Sequence, residues 1–269
     1  MDDMDFDQNE LRAKYNPEGS LIRQIQMRML EIWEVVDGIC RKHGIPYWLS
    51  SGSMLGALRH QGFIPWDDDL DIEMLRPDFE RLMAILPKEL PEHLALQWHT
   101  TDENYFLLFA KVRDRNSRMM ERNGYDKVWK ERGVWIDIFP VERVPRWIHK
   151  LSNAAFGHTY KMLRTASDPA KAIGKVRAFA AFNRNVVFPV LRGLSALFPV
   201  KYYDFCLGIP YFQKSLKEDY LPVRYVTFEN KSVPIMREAE KWLTYIYGDY
   251  MRLPDNPGAR CHSDGIEIW

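Results

Sequence analysis

The sequence predicts an α+β fold: a mixed sheet flanked by helices and carrying a basic helical insertion. Two patterns lead there. Short runs of branched and aromatic residues alternate with amphipathic helical spacing up to about residue 145, and residues 146–201 then turn wholly helical in pattern and rich in Lys and Arg. A chain of 269 residues that is 46% hydrophobic and 13% aromatic can bury one substantial core. The expected organisation is a flexible acidic N-terminus (1–19), a core domain (20–145), a basic amphipathic helical insertion (146–205), the C-terminal part of the core domain (206–255) and a C-terminal tail (256–269).

Ser20 is the expected N-cap of a long helix, in which Ile22, Ile25, Met29, Ile32, Trp33, Val36 and Cys40 recur at helical spacing until Gly44 stops it. Ile45-Pro46-Tyr47-Trp48-Leu49 reads as a short apolar strand. Ser50-Ser51-Gly52-Ser53 follows, then a helical pattern through Met54, Leu55, Ala57 and Leu58. That order presents free backbone N–H groups at a helix start. After the loop Gly62-Phe63-Ile64-Pro65-Trp66 comes an acidic extended segment, and Pro77 opens a helix that Pro87 ends. Leu94–Trp98, Tyr105–Val112 and Val134–Phe139 read as further strands, with turns at Arg113–Asn116 and Arg122–Gly124. The last helix is expected from about Arg237 to Tyr247, closed by Gly248.

Lys plus Arg and Asp plus Glu balance at 37 each, so total charge gives no sign of a nucleic-acid partner. Cys40, Cys206 and Cys261 are scattered, odd in number and without Cys-x-x-Cys spacing, which argues against both a disulfide framework and a structural zinc site and fits a reducing cytosol. Met1–Glu10 lacks the basic and then apolar regions of a secretory signal, and no run approaches the roughly eighteen apolar residues of a spanning helix. The expected location is cytoplasmic.

Asp67, Asp68, Asp69 and Asp71 fall within five residues. Acids this close repel one another unless something positive sits among them. If Asp69-Leu70-Asp71-Ile72 is extended, its period of two puts the carboxylates of Asp69 and Asp71 on one face and sends Leu70 and Ile72 into a core. Oxygen-only ligands suit Mg2+, or Mn2+, and a cation held by two or three carboxylates completes its shell with phosphate and water. Asp137 is the candidate third ligand, because it is one acid in the otherwise apolar strand Gly133-Val134-Trp135-Ile136-Asp137-Ile138-Phe139, where an unpaired charge is costly. Upstream, Gly52 lets backbone approach a phosphate, Ser53 adds a hydroxyl, and the helix behind them favours an anion. Two plainer readings compete. A solvated acidic turn does not account for the alternating Leu70 and Ile72; a calcium loop fails at Ile72, where glycine is needed, and at Asp78, where a glutamate is needed.

The run Tyr47-Trp48-Leu49-Ser50-Ser51-Gly52-Ser53-Met54-Leu55-Gly56-Ala57-Leu58-Arg59-His60-Gln61-Gly62-Phe63-Ile64-Pro65-Trp66-Asp67-Asp68-Asp69-Leu70-Asp71-Ile72 closely resembles the signature of the LicD family, bacterial phosphocholine transferases related to the fukutin-type ribitol-phosphate transferases. Phe109–Asp114, Trp135–Pro140, Phe228-Glu229-Asn230 and Tyr247-Gly248-Asp249-Tyr250 resemble it too, in the family's order. One departure is Ser51-Gly52-Ser53, where many members carry Gly-Gly-Thr. The resemblance implies a nucleotidyltransferase fold of the polymerase-beta type and a Mg2+-dependent transfer of a phospho-alcohol from a CDP-linked donor to a hydroxyl of a cell-surface glycan or its lipid-linked precursor. It implies that Asp69, Asp71 and Asp137 bind metal, with Asp137 also orienting or deprotonating the acceptor hydroxyl. Arg59, His60 and Lys111 become candidates for the donor's diphosphate. Trp48 and Trp66 are candidates for stacking on a base or a choline-like cation, against the alternative of core packing.

Residues 146–201 interleave Lys and Arg with large apolar residues and hold one acid, Asp168. This composition fits either a helix lying on an anionic membrane surface, at its inner face, or a helical lid with a solvated side. Other readings of the whole chain stay open: a nucleotidyltransferase releasing pyrophosphate, a sugar-nucleotide glycosyltransferase, or a non-catalytic membrane-associated scaffold.

Overall fold

The computed structural model describes residues 7–166, 168–257 and 263–269. Helix α1 (Gln8–Tyr15) is followed by α2 (Leu21–His43), which is capped as its sequence predicts: Ser20 Oγ accepts from the Arg23 N–H, and Gly44 closes it in the left-handed conformation at φ 60°. Next come β1 (Trp48–Leu49), α3 (Ser51–His60), β2 (Asp71–Leu75), α4 (Arg76–Glu89), β3 (Leu94–Gln97), β4 (Ala110–Asp114), β5 (Ser117–Glu121) and β6 (Trp135–Arg143). The insertion is α5 (Arg146–Arg164), α6 (Pro169–Phe182), a π-helical turn (Asn183–Val187) and α7 (Phe188–Ala196). β7 (Tyr203–Phe205), α8 (Lys217–Tyr220), β8 (Arg224–Phe228), β9 (Lys231–Ile235), α9 (Ala239–Tyr247) and β10 (Ser263–Ile268) complete the chain.

The main sheet has the order β1-β2-β6-β4-β3, with β7 paired to the end of β6. It is mixed, because β2 and β6 run parallel while the other neighbours are antiparallel. Helices α2 and α4 pack on it. Ile72, Met74, Val112, Ile136 and Ile138 are fully buried in the core. The pleat then sends the alternate residues Asp71, Lys111 and Asp137 to the opposite face. Burial of the apolar set therefore fixes the polar set.

The insertion packs on the domain through its inner face. Ile148, Phe156, Leu163, Val176, Phe188 and Leu191 are buried, and Arg192 grips Glu142 of β6 with two hydrogen bonds, of 2.8 and 3.0 Å. Among the described residues no helix is long and apolar enough to cross a membrane.

Three sequence expectations change. Residues 8–15, expected as part of a flexible acidic terminus, form α1 because long-range partners hold them: Gln8 donates to the Arg59 carbonyl at 2.9 Å, and Tyr15 packs edge-on against Trp66. The tail expected over 256–269 contributes β10, which pairs with β5, and Trp269 donates to the Asn116 carbonyl; residues 258–262, with Cys261, lie outside the described residues, as do residues 1–6. The strand expected over Tyr105–Val112 begins only at Ala110, since Tyr105–Phe109 is buried irregular chain whose Phe109 carbonyl takes the Tyr105 hydroxyl at 2.9 Å.

Gly133 enters β6 against the backbone of β4. A Cβ there would stand 1.7 Å from the Asp114 carbonyl oxygen, and that strand is held by the Asp114 N–H donating to the Val134 carbonyl at 2.8 Å. Gly133→Ala is therefore expected to cost about 3 kcal/mol of stability in urea unfolding. A cost within about 0.5 kcal/mol would show that the two strands can separate freely.

Candidate active site

Across the parallel pair Asp71 lies directly opposite Asp137, and on the other side of β6 Lys111 lies opposite Asp137. Asp69 sits two residues before Asp71, and ligand oxygens of Asp69, Asp71 and Asp137 all lie within 4.8 Å of one another. Asp69 Oδ1 and Asp71 Oδ1 are sealed from solvent without a hydrogen-bond partner. Asp137 is the most tied of the three: Oδ1 accepts from Lys111 Nζ at 2.5 Å and Oδ2 from the Trp135 indole N–H at 3.2 Å. The Lys111 ammonium also lies 4.2 Å from the centre of the Trp135 ring, a cation–π contact that fixes it beside the acids.

Electrostatics here favour a bound cation. Burial pushes the Asp71 carboxyl well above its ordinary range, and repulsion from Asp69, Asp137 and Asp67 adds to this, offset in part by Lys111. Burial likewise pushes Asp137 up to about 6 although Lys111 pulls it down. Sealed carboxylate oxygens without donors, all hard ligands, are the donor set of Mg2+ or Mn2+. The residues present fit such an ion.

Helix α3 aims its start at the same place. Ser51, Gly52 and Ser53 line the cleft with Asp67, Asp69 and Asp71, and their N–H groups precede the first intrahelical donor, the Met54 N–H that bonds the Ser50 carbonyl at 3.0 Å. Ser51 adopts a left-handed φ of 45°, costly for a residue with a side chain and typical of sites where the surroundings impose it. Ser53 Oγ accepts from the Asp71 N–H at 2.8 Å, which locks the helix start to β2. At Gly52 a Cβ would come within 3.1 Å of Asp67 Oδ2, so glycine leaves the approach open.

The cleft has a volume of about 960 Å³. Its far wall is aromatic: Tyr125 and Trp129, Tyr160 of α5, Tyr211 and Phe212, and Trp242 and Tyr247 of α9. None of these was proposed from sequence as a site residue. Trp135 was missed as well, although it stands two residues before Asp137 and the strand period alone puts both on one face.

Arg59 and His60 point elsewhere. The Arg59 guanidinium donates to the Tyr250 and Arg252 carbonyls at 2.9 and 3.1 Å and to His60 Nε2 at 2.9 Å, while His60 Nδ1 meets Gln8 Oε1 at 2.9 Å. Both side chains are buried, and neither lines the cleft. Their physical role is to clamp the two chain ends onto the last turn of α3. Trp48 and Trp66 also pack away from the cleft: Trp48 stacks on Tyr220 at 4.6 Å and donates to Glu73, and Trp66 meets Tyr15 and His60. Core packing is thus the outcome for both.

The family model for LicD/FKTN/FKRP, nucleotidyltransferase domain, matches residues 44–169. Lipopolysaccharide cholinephosphotransferase LicD of Haemophilus influenzae is 26% identical over 260 residues, which cover 90% of this chain and 95% of that protein. Residues 44–169 thus carry a LicD-family domain. Ribitol 5-phosphate transferase FKRP of Homo sapiens shares 46% identity over 43 residues, 16% of this chain and 9% of its own. An uncharacterized protein of Rickettsia prowazekii is 41% identical over 80 residues, 30% of this chain and 29% of its own. The LicD-family match spans the start of α3, the acids of β2 and β6, and Lys111. It ends before the part of the cleft wall that comes from residues 205–247.

Proposed function

We propose that this protein is a member of the LicD family and moves a phospho-alcohol, phosphocholine in the first instance, from a CDP-linked donor to a hydroxyl of a cell-surface glycan or its lipid-linked precursor. The same proposal takes the scaffold to be a polymerase-beta-like nucleotidyltransferase fold. One observation carries the reading: two carboxylates from paired strand positions and a third just before β2 converge within 4.8 Å, with two oxygens sealed and unpartnered, in front of a helix start open to anions. Asp69, Asp71 and Asp137 would hold Mg2+ or Mn2+, which when bound supplies positive charge to the donor's diphosphate.

The chain's own groups do the rest. The N–H groups of Ser51, Gly52 and Ser53 receive donor phosphate oxygens, and Lys111 adds a fixed positive charge beside them. The acceptor oxygen bonds to the donor phosphorus that bears the alcohol, the bridging P–O bond breaks, and cytidine monophosphate leaves with the bonding pair. Asp137, held by Lys111 and Trp135, orients the acceptor hydroxyl and takes its proton. Choline is favoured over uncharged polyols by the aromatic wall, which suits a quaternary ammonium, and by the relative named for cholinephosphate transfer along 90% of this chain.

The test is incubation with Mg2+, a lipopolysaccharide-type glycan and a panel of CDP-choline, CDP-ribitol and CDP-glycerol. Cytidine monophosphate is expected from CDP-choline, at a rate that chelation abolishes. Release of pyrophosphate from a nucleoside triphosphate, with no turnover of any CDP-alcohol, would instead establish nucleotidyl transfer and overturn the reading.

A further inference from the structure

The insertion hides one face and leaves the other unpartnered. Along α6, the π turn and α7, Phe179, Phe182, Val186, Val190 and Leu197 follow one another at three, four, four and seven residues, a single helical stripe. The stripe faces solvent, with Phe182 53%, Val190 65% and Leu197 73% exposed. On α5, Trp147 and Leu151, one turn apart, are 49% and 50% exposed. The two helices present these residues side by side. Trp147 meets Phe198 at 5.5 Å at one end, and His158 of α5 meets Phe179 at 5.3 Å at the other. The result is one apolar surface, of the kind that marks an interaction site.

Its charge says what covers it. Residues 146–201 carry ten Lys and Arg against the lone Asp168; Arg192 turns inward to Glu142 and Arg177 pairs with Glu103, while Lys150 lies one turn after Trp147, Lys175 one turn before Phe179, and Lys201 three residues past Phe198, all three lysines exposed. We propose that the outer face of α5, α6 and α7 seats the protein on an anionic lipid bilayer, the apolar stripe entering the headgroup boundary and the lysines meeting lipid phosphates. A second copy of the chain is a poorer occupant, since pairing this face with itself sets two basic clusters against each other. No described helix can span the bilayer, so the contact is in plane. The proposal does not depend on which group the cleft transfers.

Co-sedimentation with vesicles tests it on the full chain, with no substrate present. The wild type is expected to bind phosphatidylcholine vesicles containing about one-third phosphatidylglycerol, to ignore pure phosphatidylcholine, and to come off in high salt. Two variants probe the two components: Phe182→Gln with Val190→Gln and Leu197→Gln, and Lys150→Gln with Lys175→Gln and Lys201→Gln. Each should lower partitioning about tenfold while leaving thermal unfolding unchanged, because every altered side chain is at the surface. Failure of the wild type to bind, unaltered binding by both variants, or a solution dimer that the first variant disperses would each overturn the proposal.

Discussion

Replacing Asp71 with Asn is expected to lower turnover about a thousandfold while making the metal-free protein harder to unfold. The two effects share a cause. Asp71 is one of three carboxylates forced together by strand register, and its carboxyl is pushed up by burial and by Asp69, Asp137 and Asp67. A group whose folded pKa is raised contributes stability only when protonated and loses it as pH rises through the folded value, so at neutral pH the ionised form is a burden on the metal-free fold. Asn removes that charge and keeps the shape. For a chain of this size the relief should raise the melting temperature by about 2–4 °C per kcal/mol, and the gap from wild type should close in mildly acidic buffer, where protonation of the wild type does the same thing. Magnesium should raise the wild-type melting temperature and leave the variant's nearly unmoved. The loss of turnover corresponds to several kcal/mol of charge stabilisation. Near-wild-type activity in Asp71→Asn would end the assignment of this site.

Arg113→Ala should unfold the protein more readily than any other single change named here. Arg113 is fully buried on β4, yet each of its three side-chain nitrogens donates: Nε to Gln97 at 2.6 Å, Nη1 to the Gly133 carbonyl at 2.9 Å and Nη2 to Glu121 at 2.6 Å. Its guanidinium also lies 4.5 Å from the Trp135 ring centre and 5.3 Å from that of Trp129. Truncation strands the buried Glu121 carboxylate and empties a flat slot between indoles. A loss of about 3–5 kcal/mol is expected in chemical denaturation. Lysine should rescue little, because one ammonium cannot reach three acceptors in a plane. Glu121→Gln in the Arg113→Ala background should recover part of the loss, since the stranded charge is then gone. A cost below about 1 kcal/mol for Arg113→Ala would mean that this network holds nothing together.

What could be read from sequence was whatever depends on local periodicity. Leu70 and Ile72 between acids required a buried edge beside charge, and Asp137 stood out because every neighbour in its strand is apolar. The caps of α2 were legible for the same reason, since Ser20 and Gly44 act within one turn. Long-range direction was not legible. Arg59 and His60 sit on the cleft's own helix, yet their side chains turn to partners from both ends of the chain, Gln8 and the Tyr250 and Arg252 carbonyls, which no local pattern encodes. The hairpin of β8 and β9 was overlooked because its turn places Glu229 and Asn230 both at positive φ. Asparagine is an ordinary choice there and glutamate is not; Glu229 is held by Arg23 at 2.9 Å and by the Phe63 N–H at 3.2 Å. β5 likewise lacks the branched residues of a strand and owes its pairing to β10.

The side-by-side pairing of β2 with β6 has a kinetic corollary. Because Asp71 and Asp137 come from segments separated by three strands, a helix and long irregular chain, they meet only when the most distant pairing in the main sheet has closed. No early folding fragment possesses a working centre. Competence should therefore arrive late and all at once during refolding, and a denaturant titration of activity should superimpose on that of global structure, leaving no partly melted species able to turn over substrate.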